Sequence, residues 1–226
     1  MNAVGVSLYE RRKPSKLNIF INLVLIILAL ILIVEISFNA QYTSIYVDGR
    51  SMLPTLTGAE NGTGGDYIFV DTKIFPTYGD IVVVEPEAGH VIIKRVVAFG
   101  GDTVKIDSGV LYIKFSGSEE FEMIKEDYVS PEFNDPSKLQ NTFREHIVCE
   151  GGMFLLGDNR NESADSRIYH EPDKNVYYDY SVEDLVGVVP AWALENKDKI
   201  TKIFTFLKFT LPNAFGIRTK TEYYSN

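Results

Sequence analysis

The chain has 226 residues, 45% of them hydrophobic and 23% charged, proportions that fit a folded globular chain and exclude a disordered one. Its single cysteine, Cys149, rules out an internal disulfide framework, and with three histidines in all no Cys/His zinc cluster or other metal site is expected. Acids outnumber bases by 31 to 22, a formal charge of −9, which argues against a general nucleic-acid binder.

The apolar residues are unevenly spread. Leu17 to Val34 is an uncharged run in which only Asn18 and Asn22 are polar, and residues 23–34 are unbroken aliphatic. As a helix, such an 18-residue run spans about 27 Å, close to a hydrocarbon core of about 30 Å, and Ile36 and Phe38 extend it. Arg11, Arg12, Lys13 and Lys16 precede it, so the positive-inside rule keeps that end in the cytoplasm and places everything after about residue 39 outside. A cleaved signal peptide needs small residues at −1 and −3. Cutting after Ala40 puts Phe38 at −3, and cutting after Ser37 puts Glu35 there. A buried core helix would carry a polar stripe, and residues 23–34 have none. The sequence therefore predicts an uncleaved signal anchor. Only Glu10 and Glu35 oppose four bases in the first 38 residues, so the exported remainder carries about −11, the charge of a solvated surface.

Beyond the anchor, β-branched and aromatic residues broken by Gly, Pro and Asp predict a mainly β domain. Strands are expected at Thr43–Val47, Asp66–Asp71, Asp80–Glu85, His90–Ala98 and Thr103–Ile106. Asp107-Ser108-Gly109 then turns the chain into Val110–Phe115 as a hairpin. Residues 116–150 read as a polar surface insertion containing Pro131 and Pro136, and further strands are expected at Gly152–Leu156 and Ser181–Val189. Residues 203–217 are apolar but interrupted by Lys208 and Pro212, which favours a final helix or extension over a second membrane span.

Three segments hold candidate chemistry. In Gly49-Arg50-Ser51-Met52-Leu53-Pro54-Thr55-Leu56, Gly49 allows an unusual backbone angle and Pro54 pushes Leu53 from helical geometry. Ser51 is thereby placed in a constrained turn, fit for a nucleophile or simply for a surface serine. In Val91-Ile92-Ile93-Lys94-Arg95-Val96-Val97, strand alternation sets Lys94 between Ile92 and Val96. Desolvation there lowers a lysine pKa toward the range of a general base, whereas Arg95 stays protonated; a lysine snorkelling from a sheet surface fits the same pattern. The third segment, Gly157-Asp158-Asn159-Arg160-Asn161-Glu162-Ser163-Ala164-Asp165-Ser166-Arg167, is rich in short polar side chains and reads as a hydrogen-bonded loop. Asp165 and Arg167 are spaced to form an ion pair, and Ser163 to bond a neighbouring amine. The acidic spacing misses the EF-hand pattern.

Together the three segments resemble the bacterial type I signal peptidases. Ser51-Met52-Leu53-Pro54-Thr55 is similar to the family's nucleophile motif. Lys94-Arg95-Val96 with Gly101-Asp102 is similar to its general-base motif, and Gly157-Asp158-Asn159-Arg160 through Arg167 to its third. Order, spacing and a preceding anchor agree, over about residues 42–192. The resemblance implies a Ser51–Lys94 dyad, with the Ser51 N–H facing the oxyanion, Ser163 orienting the Lys94 amine, and Asp165 with Arg167 holding the third loop. It implies no cofactor. It also implies a small apolar pocket selecting Ala-x-Ala, for which Ile45, Val47, Met52, Ile92 and Ile93 are the candidate lining residues. Gly49 stands where some members carry a serine that helps the oxyanion hole; this and the single anchor are similar to the Gram-positive branch.

The layout so implied is a cytoplasmic N-terminus (1–16), a transmembrane anchor (17–38), an extracytoplasmic catalytic β domain (39–192) and a C-terminal tail (193–226). Implied partners are the signal peptides of exported preproteins, the lipid bilayer and, by proximity, the export translocon. A Ser-His-Asp hydrolase would need His90, His146 or His170 as base, and none sits in a recognisable motif. The self-cleaving SOS repressors share Ser–Lys chemistry but have no anchor. A peptidase specialised for pilins or surface proteins, or a non-catalytic tethered β domain, remains open at this point.

Overall fold

The computed structural model describes residues 15–167 and 177–207. Arg11, Arg12, Lys13, His170 and the tail beyond residue 207 lie outside the described residues. The chain divides into two units, residues 1–41 and 42–226.

In the first unit, α1 (Lys16–Asn39) is a 24-residue helix opened by Ser15, whose hydroxyl accepts the Asn18 N–H at 3.2 Å. It is long and apolar enough to cross a membrane, with none of its residues buried.

The second unit is mainly β, as the sequence predicts. Among the described residues its strands are β1 (Tyr42–Tyr46), β2 (Tyr67–Asp71), β3 (Ile81–Glu87), β4 (His90–Phe99), β5 (Thr103–Asp107), β6 (Val110–Lys114), β7 (Glu122–Met123), β8 (Phe143–Ile147), β9 (Gly152–Leu156), β10 (Tyr180–Ser181) and β11 (Leu185–Val188). They form a seven-stranded sheet ordered β1-β2-β11-β3-β4-β9-β10 and a four-stranded sheet ordered β7-β6-β5-β8, antiparallel throughout. Ser108 (φ 52°) and Gly109 (φ 81°) close the β5–β6 hairpin, with Asp107 paired to Val110. Two successive positive φ angles make the primed turn that matches strand twist. The β4–β5 corner between the sheets is tied by buried Asp102, which accepts the N–H groups of Phe99 and Ser116 and the Tyr78 hydroxyl. Burial, together with that bond to the carboxylate, pushes the Tyr78 phenol up to about 12.

The core falls in three clusters. One gathers Val47, Met52, Leu56, Ile68, Val70, Ile81, Val83 and Ile93. A second, centred on Val97, Val104, Leu111, Ile113, Phe154 and Leu156, joins the two sheets. The third holds Val82, Val84, Val96, Met153, Leu155 and Val188. Each fully buried aliphatic side chain contributes about 1.5–3 kcal/mol, so these clusters carry a fold that has no disulfide.

Three segments differ from the sequence reading. The strand expected at Ser181–Val189 is interrupted by a 3₁₀ turn at Val182–Asp184, so β10 pairs with β9 while β11 enters between β2 and β3. Residues 116–150 do not all run over the surface: β8 pairs with β5, and Val148 lies in the core. The boundary expected at residue 192 falls inside α2 (Ala191–Glu195). Ala193 there, and Ile200 of α3 (Lys197–Thr205), are buried in the first cluster. Phe204 stacks on Tyr67, and Lys197 pairs with Asp66 at 2.9 Å.

Candidate active site

Ser51 lies in the turn that follows β1. The Asp48 carboxylate accepts the Gly49 N–H at 2.9 Å, and Gly49 takes φ 74°, in the left-handed region. Gly58 lies against it so closely that a Cβ there would sit 1.5 Å from the Gly49 carbonyl oxygen. The turn continues with Leu53 N–H to Arg50 O (3.2 Å), Leu56 N–H to Met52 O (2.9 Å) and a cis Leu53–Pro54 peptide. Among the described residues no acceptor takes the Ser51 N–H. Arg50 turns outward, half exposed, between Glu60 (3.7 Å) and Glu162 (3.3 Å), exposed pairs that add little stability.

Lys94 reaches this turn from β4. Its Nζ lies 3.0 Å from Ser51 Oγ and donates to the Ile93 carbonyl at 2.9 Å. The residue is 5% exposed. Burial lowers its pKa from 10.5 to about 8, against the opposing pull of the Asp165 and Asp158 carboxylates.

The third segment packs on both. The Asn159 N–H donates to Ser51 O at 2.9 Å, and its side-chain amide donates to Arg50 O at 3.1 Å, so one residue holds the main chain at the serine and just before it. Asp158 accepts two bonds from Arg95 (2.8 and 2.6 Å) and the Thr55 hydroxyl. Asp165 and Arg167 form a second two-bond pair, both at 2.8 Å, and Asp165 also accepts the Gly157 N–H at 3.0 Å. Burial works to raise the Asp165 pKa, but the Arg167 guanidinium overcomes it and holds the carboxyl below its ordinary range. Gly157 leaves no room for a side chain: a Cβ would meet Ser163 Oγ at 2.1 Å and Ser51 O at 2.5 Å.

The structure thus brings Ser51 and Lys94 together and sets Asp165 and Arg167 in the loop against them. Ser163 stands differently from its sequence-based role. Its hydroxyl is near enough to Asp165 to favour that carboxylate, yet it is buried without a full hydrogen bond, and none goes to Lys94. The second bond of the amine goes to Ile93 O instead. Of the expected pocket residues, Val47, Met52 and Ile93 are buried in one cluster with Ile45 packed against it, whereas Ile92 packs with Val82, Val84 and Val96 in another. Sequence reading gave no role to Arg95, Asp158 or Asn159 beyond the motif they stand in. It missed Glu126 and Tyr128 altogether, because both lie in a polar stretch without periodicity.

Residues 19–201 match the family described as "Signal peptidase, peptidase S26". Signal peptidase I U of Bacillus subtilis is 33% identical over 172 residues, covering 74% of this chain and 84% of its own length. Signal peptidase I of Streptococcus pneumoniae is 31% identical over 178 residues, covering 64% and 81%. A solved signal peptidase I from Enterococcus faecalis V583 aligns with 52% of this chain and 98% of its own at 26% identity and a TM-score of 0.39. With more than half its length matched to the family, the chain belongs to the S26 signal peptidases, serine endopeptidases of the signal peptidase I type with relatives in Gram-positive bacteria.

Proposed function

We propose that this protein is a membrane-anchored signal peptidase that removes signal peptides from exported preproteins, cutting after Ala-x-Ala-like sites with a Ser51–Lys94 dyad. The observation that carries the reading is the buried Lys94 Nζ 3.0 Å from Ser51 Oγ, with its pKa lowered. Neutral Lys94 takes the hydroxyl proton as Ser51 Oγ attacks the scissile carbonyl. The resulting ammonium protonates the leaving amine, which departs as the N-terminus of the mature protein, and the signal peptide stays on Ser51 as an ester. Lys94, neutral again, deprotonates the water that hydrolyses the ester. The Ser51 N–H, which no acceptor takes among the described residues, is the proposed donor to the developing oxyanion. Ile45, Val47, Met52 and Ile93, which pack in one apolar cluster, are the candidates for the pocket that takes small side chains.

Residues 17–38 anchor the chain in the bilayer with the basic end cytoplasmic and the β domain outside, near the export translocon. An all-round apolar helix with no buried residue is far larger than the exposed patches water tolerates, which supports a lipid environment for it. The experiment is cleavage of a preprotein with an Ala-x-Ala junction by the full chain in detergent micelles. Ser51→Ala and Lys94→Ala should each lower the rate by about 10³-fold or more. Wild-type activity in either variant overturns the dyad.

A further inference from the structure

The segment between β7 and β8 sends two side chains, from outside the three motif segments, onto arginines that border the site. Glu126 is almost fully buried and accepts both terminal nitrogens of Arg160, one at 3.0 Å, together with the Tyr128 hydroxyl at 2.6 Å. The Tyr128 ring lies over the Arg95 guanidinium, its centroid 3.8 Å from Cζ. Arg160 Nε donates to Gly157 O at 3.0 Å, and Arg95 forks onto Asp158. Arg160, within the loop, and Arg95, beside it, therefore each join the loop to the Glu126–Tyr128 pair, and Arg95 Nη1 also donates to Gly79 O at 2.6 Å.

That loop controls the serine. Gly157 is in contact with Ser51 O, Asp158 holds Thr55, and Asn159 bonds Ser51 O and Arg50 O. A guanidinium is planar and carries donors in a fixed fork, so an arginine engaged on two sides has one orientation. Without the Tyr128 ring, Arg95 loses the face packed on its guanidinium but keeps Asp158 and, through Nη1, Gly79 O. Arg160 without Glu126 keeps only Gly157 O and gains rotamers, so the loop it belongs to can shift by fractions of an ångström. Displacement on that scale matters when a hydroxyl must attack along a defined line.

We propose that Glu126 and Tyr128 are positioning residues for the Ser51–Lys94 pair, acting through Arg160 and Arg95 to fix the loop that sets the serine. The proposal rests on the dyad reading above. The polar segment then has a task in the reaction that its composition does not disclose.

The test uses full-length protein in detergent micelles and a fluorogenic peptide with an Ala-x-Ala junction, measuring kcat, KM and thermal midpoint for each variant at one pH. Tyr128→Leu removes both the ring over Arg95 and the bond to Glu126. It should lower kcat by about tenfold while KM stays within about twofold, because the fault lies in alignment and not in the pocket. Tyr128→Phe keeps the ring over Arg95 and should recover most of that loss. Glu126→Gln, which keeps acceptor shape without the charge, should fall between them. The proposal is overturned if Tyr128→Leu leaves kcat unchanged in folded protein, if the loss appears in KM alone, or if Tyr128→Phe is as impaired as Tyr128→Leu at an equal midpoint. Ser51→Ala in the same assay separates the two readings. If it is inactive while Tyr128→Leu is normal, only the positioning role falls, and if it is active the dyad itself falls.

Discussion

Replacing Lys94 with methionine separates what the lysine does to the fold from what it does in the reaction. Its pKa is 10.5 in an unfolded chain and about 8 in the folded one. At about 1.4 kcal/mol for each tenfold change in proton affinity, folding the protonated lysine costs about 3 kcal/mol. The unfolded chain keeps its proton up to about 10.5 while the folded chain gives it up near 8, so the unfolded state binds more protons in that window. Stability therefore rises with pH across it. The cost is fully present below about 8 and gone above about 10.5. Methionine has no such slope, but it forfeits the bond to Ile93 O and the contact with Ser51 Oγ, about 1 kcal/mol each. Lys94→Met should thus be more stable than wild type by about 1 kcal/mol at pH 7, and less stable by about 2 kcal/mol near pH 10.5. Urea unfolding of both full-length proteins in the same micelles at the two pH values reads the difference directly. Activity follows the same ionisation. At pH 7 about one Lys94 in ten is neutral, against about one in 3,000 for an ordinary lysine, so wild-type kcat/KM should climb about tenfold per pH unit up to 8 and then level. A stability difference that ignores pH, or a flat profile between pH 6 and 9, refutes the reasoning.

Two other substitutions probe the loop. Asp165→Asn leaves the buried Arg167 guanidinium without its carboxylate and should cost about 3–5 kcal/mol in urea unfolding. In protein that still folds, losing a carboxylate that raises the Lys94 pKa should move the rising limb of the activity profile to lower pH, and an alkaline shift contradicts this. Gly157→Ala forces a methyl against Ser163 and Ser51 O and should cost about 1–3 kcal/mol of stability while lowering kcat. Wild-type kcat in that variant would show that the serine carbonyl is not crowded there.

Much of this site was open to reading because its chemistry is local in sequence. Ser51 and its turn, Lys94 and its apolar neighbours, and the 157–167 loop are each continuous segments whose side chains announce their environment. The strands from β1 to β6 and β9 were legible for a similar reason, since buried strands carry dense β-branched runs bounded by turn residues. The rest depends on pairing across distance. β8 is an edge strand with Arg144 and Glu145 exposed, so the polarity that protects an edge also hides it from a hydrophobic pattern. The insertion of β11 between β2 and β3 follows from no local signal, and neither does the docking of α2 and α3 on β2. Ser163 shows the opposite failing: its place in the loop is right, but the Lys94 bond assigned to it is made by the Ile93 carbonyl.

Burial is the largest influence on Lys94 and lowers its pKa, while Asp165 and Asp158 stand near enough to pull the other way. Each of those carboxylates is taken by an arginine through two bonds, Asp158 by Arg95 and Asp165 by Arg167. Arginine suits this place better than lysine. It stays charged at every working pH and occupies both carboxylate oxygens, whereas a second buried amine would itself titrate. Glu126 meets Arg160 in the same manner, so the interior charges beside the proposed dyad are cancelled in pairs. Buried ion pairs are weak stabilisers once desolvation is counted, so three of them in one small region call for an explanation other than stability. Their effect on the amine supplies one. Paired with arginines, the two carboxylates oppose desolvation without overcoming it, and desolvation favours the neutral Lys94 that the proposed dyad requires.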